Sequence, residues 1–297
     1  MKKKLLVTGS AGFVAGSVIV QALPAWDVYA VDRFKISSSR YKFSSSIADL
    51  TEYAHLEELY YQINPDAVIH TAALANVDYC QNNRREAEKI NVEVTCKLAD
   101  LCHKNNARLI FCSTDTVFNG KKGFYSEEDE PVAVNFYAET KIRAEKLIQE
   151  LDCNAVITRL SLVMGLPVLG SGNSFLAKTI QKLKAGEQVP FPENEIRTPL
   201  DVVTLGAALI ELTENDFRGI LHLAGNDRIN RYEMARRIAA YLGYSPDLII
   251  ATNSNALPGR APRPNDASLN NSKAKKTLKT PMQSIQQGLQ LTLNFGK

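Results

Sequence analysis

Tyr137 and Lys141 stand four residues apart in "FYAETKIRAEK", a spacing that puts a phenol and an ammonium on one face of a helix. A phenol ionises near pH 10, and a nearby cation together with an oxidised nicotinamide stabilises the phenolate, so the pair can exchange a proton with a substrate oxygen at neutral pH. Tyr137 is the only one of 11 tyrosines with a lysine four residues later. Upstream, "RLIFCSTDTVFNG" runs an apolar segment abruptly into Ser113, Thr114, Asp115 and Thr116. Thr114 or Ser113 can donate a hydrogen bond to the oxygen served by Tyr137, and Ser113 and Thr116 are candidates for substrate contact. Asp115 is expected to support the turn, because no glutamate follows it to complete a pair for moving protons.

A second group points to a dinucleotide. The first strand runs into "TGSAGFVAG", where Gly9 permits a tight turn and Gly12 lets a pyrophosphate approach the backbone. Phosphates would then meet Ala11, Phe13 and Val14 at the positive end of the first helix. The second strand ends in Asp32, 20 residues after Gly12, where a carboxylate can hold the adenosine ribose hydroxyls. Asp32 favours NAD, while neighbouring Arg33 can offset its repulsion of a 2′-phosphate and admit NADP. Asp49, followed by Leu50 in "ADLTE", either caps a helix or lies beside the adenine.

Short β-branched runs must position these residues: "KLLVT" (4–8), "VYAVD" (28–32), "AVIH" (67–70), "RLIFC" (108–112) and "AVITRL" (155–160). Between them lie segments with apolar residues at three- and four-residue spacing, such as "AEKINVEVTCKLADLCHK". Alternating strand and helix predicts an α/β fold, a doubly wound Rossmann-type parallel sheet with a smaller C-terminal substrate-binding lobe. The dinucleotide-binding domain is assigned to 1–163 plus about 198–227, and the lobe to about 164–197 plus 228–297. The serines at 37–39 and 44–46 read as flexible surface loop, and the polar, Pro-rich segment ending in "NNSKAKK" as a wrap around the smaller lobe.

With 35 basic against 32 acidic residues, the net charge of +3 is too small to propose nucleic acid as partner. No apolar stretch approaches the roughly 18 residues needed to span a bilayer, so no membrane role and a cytoplasmic location are expected. Five cysteines without a CxxC pair suggest reduced, mostly buried thiols, and four histidines without ligand spacing suggest no metal.

Together "TGSAGFVAG", "DAVIHTAALANVD", "INVEVT", "STDTVF", "YSEEDEPVAVNFYAETKIRAE" and "RAPRPNDASLNNSK" resemble the extended short-chain dehydrogenase/reductases, within them the dTDP-4-dehydrorhamnose reductase-like family. The resemblance implies a catalytic triad of Thr114, Tyr137 and Lys141, with Tyr137 and Lys141 also against the cofactor and Ala72, Ala73 and Asn91 near the nicotinamide. It implies an NAD(P)H-dependent reduction of a keto group on a nucleotide-linked sugar, with a homodimer allowed for. Several positions depart from the family pattern: Ala15 replaces its third glycine, Thr116 a tyrosine, and Leu162 and Met164 a Trp and a Tyr. The scaffold also serves nucleotide-sugar epimerases and dehydratases, and the β subunits of methionine adenosyltransferase resemble the same reductases as non-catalytic partners. Arg197, Arg260 and Arg263 are candidates to clamp a sugar-nucleotide diphosphate, since guanidinium forks match phosphate oxygens. Asn173 is expected to cap the lobe helix or to contact the substrate.

Overall fold

The computed structural model describes residues 2–170, 172–256 and 258–295. The buried apolar runs build one parallel sheet, with strands β1 (Lys3–Thr8), β2 (Trp26–Asp32), β3 (Ser44–Ile47), β4 (Ala67–His70), β5 (Arg108–Thr114), β6 (Ala155–Leu160) and β7 (Gly219–Leu223). Their spatial order is β7-β6-β5-β4-β1-β2-β3. The chain winds outward from β1 to β3 and returns through β4 on the other side of β1, so the loops leaving β1 and β4 diverge and open a crevice.

Side chains alternate across the sheet. Leu5 and Val7 face one way, into a core closed by the Phe13–Ala22 and Val202–Glu214 helices. Leu6 faces the other, into a core with Leu56, Leu98 and Ile148 from the helices Tyr53–Ile63, Val94–Lys104 and Phe136–Glu150. With both faces covered, the central strands read as continuous hydrophobic runs.

Serines 44–46, expected as loop, instead form most of β3. They pair with Tyr29, Ala30 and Val31, so the backbone ladder of β2 recruits a segment with no hydrophobic signature of its own. The segment 84–104 is also less regular than its periodicity suggests, because Lys89–Glu93 winds as a π-turn between two α-helical pieces.

The smaller lobe packs the Phe175–Lys184, Arg231–Tyr241 and Ile285–Asn294 helices around Met164, Leu176, Met234 and Leu289. Its short strand Val189–Pro192 pairs with Ile249–Thr252. The polar C-terminal segment does more than wrap this lobe: Ala274, Leu278 and Met282 reach the core beneath the Phe13–Ala22 helix. All five cysteines are free, and Cys96 alone is not buried. No helix among the described residues is long and apolar enough to cross a membrane.

Candidate active site

The turn after β1 is shaped by contact as well as by conformation. Gly9 has φ 69°, and a Cβ there would lie 2.6 Å from the Ala72 backbone, so the β1 and β4 loops touch at a point only glycine fits. Gly12 is the N-cap of the Phe13–Ala22 helix and brings no capping side chain, and the first turn holds no acidic residue. Its amides are thus left to meet an anion, which is what a pyrophosphate requires. Asp32 braces the turn, accepting the Ala11 N–H at 3.0 Å on one oxygen and the Phe34 N–H at 3.2 Å on the other.

The crevice beside this turn is lined by Gly9, Gly12, Asp32, Arg33, Asp49 and Leu50, and on its other wall by Ala72, Ala73 and Leu74. Asp49 does not cap the following helix, whose N-cap is Glu52. Its carboxylate accepts the Thr51 N–H at 2.9 Å and the Thr51 hydroxyl at 2.8 Å, and the first of these bonds chiefly holds its pKa below the ordinary range. Asn91 is buried, and the π-turn directs it at the loop instead of the crevice. It accepts the Leu74 N–H at 2.8 Å and donates to the Leu74 carbonyl at 3.2 Å and to Thr140 at 3.1 Å.

Below the crevice, His70 ties three elements together. Thr95 spends its proton on the Asn91 carbonyl at 2.8 Å, so His70 Nε2–H must donate to Thr95 at 3.1 Å and Nδ1 must accept from Thr8 at 2.7 Å. Burial, with the Lys141 charge in the same direction, lowers the His70 pKa to about 3 and keeps it neutral.

The end of β5 meets the N-terminal turn of the Phe136–Glu150 helix. Thr114 caps the short Asp115–Val117 turn, its oxygen accepting the Thr116 N–H at 3.2 Å. Its hydroxyl lies 3.0 Å from that of Thr116 and 3.4 Å from Asp115 Oδ1, and it stands near the Tyr137 phenol. Tyr137 packs with Leu74, which lines the crevice, against Cys80, Ala87 and Phe136. Burial pushes the phenol's pKa up, as do Cys80 and Asp115, while Thr114 pulls it down. This is opposite to the direction expected from a lysine partner, because the Lys141 ammonium rests over the Phe111 ring, 4.1 Å from its centroid. Lys141 is itself buried, which lowers its pKa to about 8 against the opposing pull of Cys112 and Glu145.

Four expectations need correction. Ser113 donates to Glu145, a buried carboxylate also gripped by Arg159, so its hydroxyl is committed to the core side of the strand. Arg197 is not a phosphate clamp: its Nη atoms donate to the carbonyls of Ile196, Pro264 and Asn265 and to Glu195, and Nε faces Asp115 at 3.5 Å. Arg263 grips Asp78 with both Nη atoms, at 2.5 and 2.9 Å, and Arg260 leans on the same carboxylate at 3.6 Å. Asn173 does not cap the lobe helix. The cap is Ser174, which accepts the Ala177 N–H at 3.0 Å, while exposed Asn173 accepts from Lys178 at 2.7 Å.

A lobe cleft escaped the sequence reading. Phe175, Phe191 and Arg231 line it with Lys178 and Arg260. The Arg231 guanidinium lies 6.0 and 5.9 Å from the two ring centroids, donates to Glu195 at 3.1 Å, and its Nε finds no hydrogen-bond partner among the described residues. "VPFP" and "NRYE" carried the aromatic and the cation in plain view, but only the fold brings them together.

Known proteins are similar to this chain in sequence and fold. The RmlD substrate binding domain family matches residues 3–296. A probable low-salt glycan biosynthesis reductase Agl14 of Haloferax volcanii is 28% identical over 263 residues, 87% of this chain and 86% of that protein. A dTDP-4-dehydrorhamnose reductase of Mycolicibacterium smegmatis is 26% identical over 98% of this chain and 85% of its own length. The methionine adenosyltransferase 2 subunit beta of Bos taurus is 27% identical over 88% and 79%. Among solved structures, a dTDP-4-dehydrorhamnose reductase from Bacillus anthracis in complex with NADP superposes with a TM-score of 0.88 at 23% identity, covering 99% of each chain. At that identity the likeness speaks for the fold.

Proposed function

The chain belongs to the RmlD substrate binding domain family, and from that premise we propose that it is an NAD(P)H-dependent oxidoreductase of the extended short-chain type that reduces a keto group on a nucleotide-linked sugar. The observation that carries this reading is Thr114 near Tyr137, which packs with the crevice-lining Leu74, and Lys141 buried one helical turn beyond Tyr137. The reduced nicotinamide supplies the hydride. The chain's own part is to orient the carbonyl with Thr114 and to give the new alkoxide a proton from Tyr137. A phenol with a raised pKa suits that task, because it stays protonated until a stronger base forms beside it.

Asp32 and Arg33 at the end of β2 divide the cofactor preference, Asp32 toward NADH and Arg33 toward NADPH. The lobe cleft suits the nucleotide moiety: Phe175 and Phe191 offer faces to a base, and Arg231 and Lys178 offer charge to a diphosphate. The test is loss of the reduced-nicotinamide absorbance when the protein meets a panel of 4-keto nucleotide sugars with NADH or NADPH. Retained cofactor binding without turnover on any of them would overturn the proposal.

Similarity to a methionine adenosyltransferase β subunit favours a second reading, a nucleotide-binding partner protein. Co-purification of a partner, together with unchanged cellular function in Tyr137→Phe, would select it. Dehydration is disfavoured because Thr116 stands where a glutamate would complete an acid pair with Asp115.

A further inference from the structure

A chain of alternating charges, buried from Glu195 onward, runs from the lobe cleft to the catalytic hydroxyls: Arg231 to Glu195 at 3.1 Å, Glu195 to Arg197 at 3.4 Å, Arg197 to Asp115 at 3.5 Å, and Asp115 to Thr114 at 3.4 Å. It crosses from the smaller lobe to the end of β5. Asp115 Oδ2 makes no hydrogen bond among the described residues, so the Arg197 charge is its principal compensation. Arg197 in turn is immobilised by the carbonyls of Ile196, Pro264 and Asn265, which leaves its Nε no other partner. A guanidinium so fully held, and buried at 4% exposure, is built to present charge at one place.

We propose that Arg197 is a positioning residue for the reduction: by pairing with Asp115 it holds a carboxylate charge beside Thr114 and Tyr137, where that charge keeps the phenol protonated for its task. The proposal rests on the reductase reading. With Asp115 ionised, its negative charge beside Thr114 keeps the nearby Tyr137 phenol protonated for its role as acid. The groups acting on Asp115 are Arg197, Glu195 and Arg231 from the lobe and Thr114 beside it, with Tyr137 facing it from the catalytic helix. Burial raises the Asp115 pKa to about 6 against Arg197, which lowers it, while Glu195 raises it further. The two lobe residues therefore pull in opposite directions, and that opposition is the test.

Carbon-13 carboxyl NMR of aspartate-labelled protein, with Asp115 assigned by its loss in Asp115→Asn, reads the titration without substrate. Asp115 should titrate near pH 6 in the wild type. It should move up by about 1 unit or more in Arg197→Met, stay close to wild type in Arg197→Lys, and move down in Glu195→Gln. The acid limb of kcat/KM should follow the same order, with kcat falling more than KM rises in Arg197→Met. A titration that is the same in wild type and Glu195→Gln would overturn the proposal even if Arg197→Met fails to fold. Shifts in the expected order without turnover on any keto sugar would support the link and count against the reductase reading alone.

Discussion

Glu145 and Asp115 are both buried within reach of the β5 end, yet the fold completes one and leaves the other short. Glu145 takes the Ser113 hydroxyl and a two-pronged grip from Arg159, with contacts of 3.2, 3.1 and 2.8 Å and both side chains about 2% exposed. Asp115 has one hydroxyl at 3.4 Å and one guanidinium nitrogen at 3.5 Å. A buried carboxylate bonded on both oxygens fixes a scaffold, because every alternative leaves charge uncompensated. An undersupplied carboxylate has its pKa carried toward neutrality, which is where groups that serve chemistry sit.

Breaking the Glu145–Arg159 pair should cost most. Glu145→Ala leaves the Arg159 guanidinium buried without its carboxylate, and urea unfolding should show a loss of about 3–5 kcal/mol. A loss below about 1 kcal/mol would erase the contrast with Asp115.

Asp115 should show itself through pH. Its pKa in the fold is about 6 against an ordinary 3.8, so the native state holds a proton that the unfolded chain has already released. A raised carboxyl pKa gives stability that is full below pH 3.8 and is lost as pH rises through 6. Wild type should therefore lose about 3 kcal/mol relative to Asp115→Asn across that window and change little above pH 7. Parallel pH–stability curves for the two proteins would show that Asp115 is as well compensated as Glu145.

Neighbouring side chains on one strand sharpen the same division. Thr114→Val should lower kcat/KM about 100-fold with a small change in stability, since it removes a donor to the reacting oxygen. Ser113→Ala should do the reverse, costing about 1–2 kcal/mol of stability with turnover nearly intact, because its partner is Glu145. Equal loss of turnover in both would place the two hydroxyls on the same side of the chemistry.

These contrasts were only partly legible in the sequence. The β-branched runs and the helical spacing announced β1, β2, β4, β5 and β6 and the helices that cover them, because burial on both faces demands those residues. β3 was hidden: an edge strand of serines takes its order from the ladder of β2. Tyr137 and Lys141 were visible because one helix holds both. Arg159 and Glu145 were not, since one lies on a strand and the other on a helix and nothing local couples them. Arg197 drew attention as a guanidinium, but its carbonyl and carboxylate partners at 264–265 and 115 come from distant parts of the chain. Long-range pairing of charges has no periodicity to read.

The smallest effect belongs to the exposed counterpart of these pairs. Asp78, on the short Val77–Asn82 helix, accepts from Arg263 and from the Ala261 N–H at 2.9 Å, joining the C-terminal segment to the helix that follows β4. Hydrogen bonds from Arg263 hold its pKa below the ordinary value, so its contribution is present above pH 3.8 and fades as pH falls through the lowered pKa. Its carboxylate is 36% exposed, however, and water and salt screen it. Asp78→Asn should thus cost about 1 kcal/mol or less near neutrality, less still in molar salt, and the difference from wild type should shrink in acid. A cost of several kcal/mol that salt leaves unchanged would mean that this ion pair behaves like Glu145–Arg159, and that burial is not what separates the strong pairs of this protein from the weak.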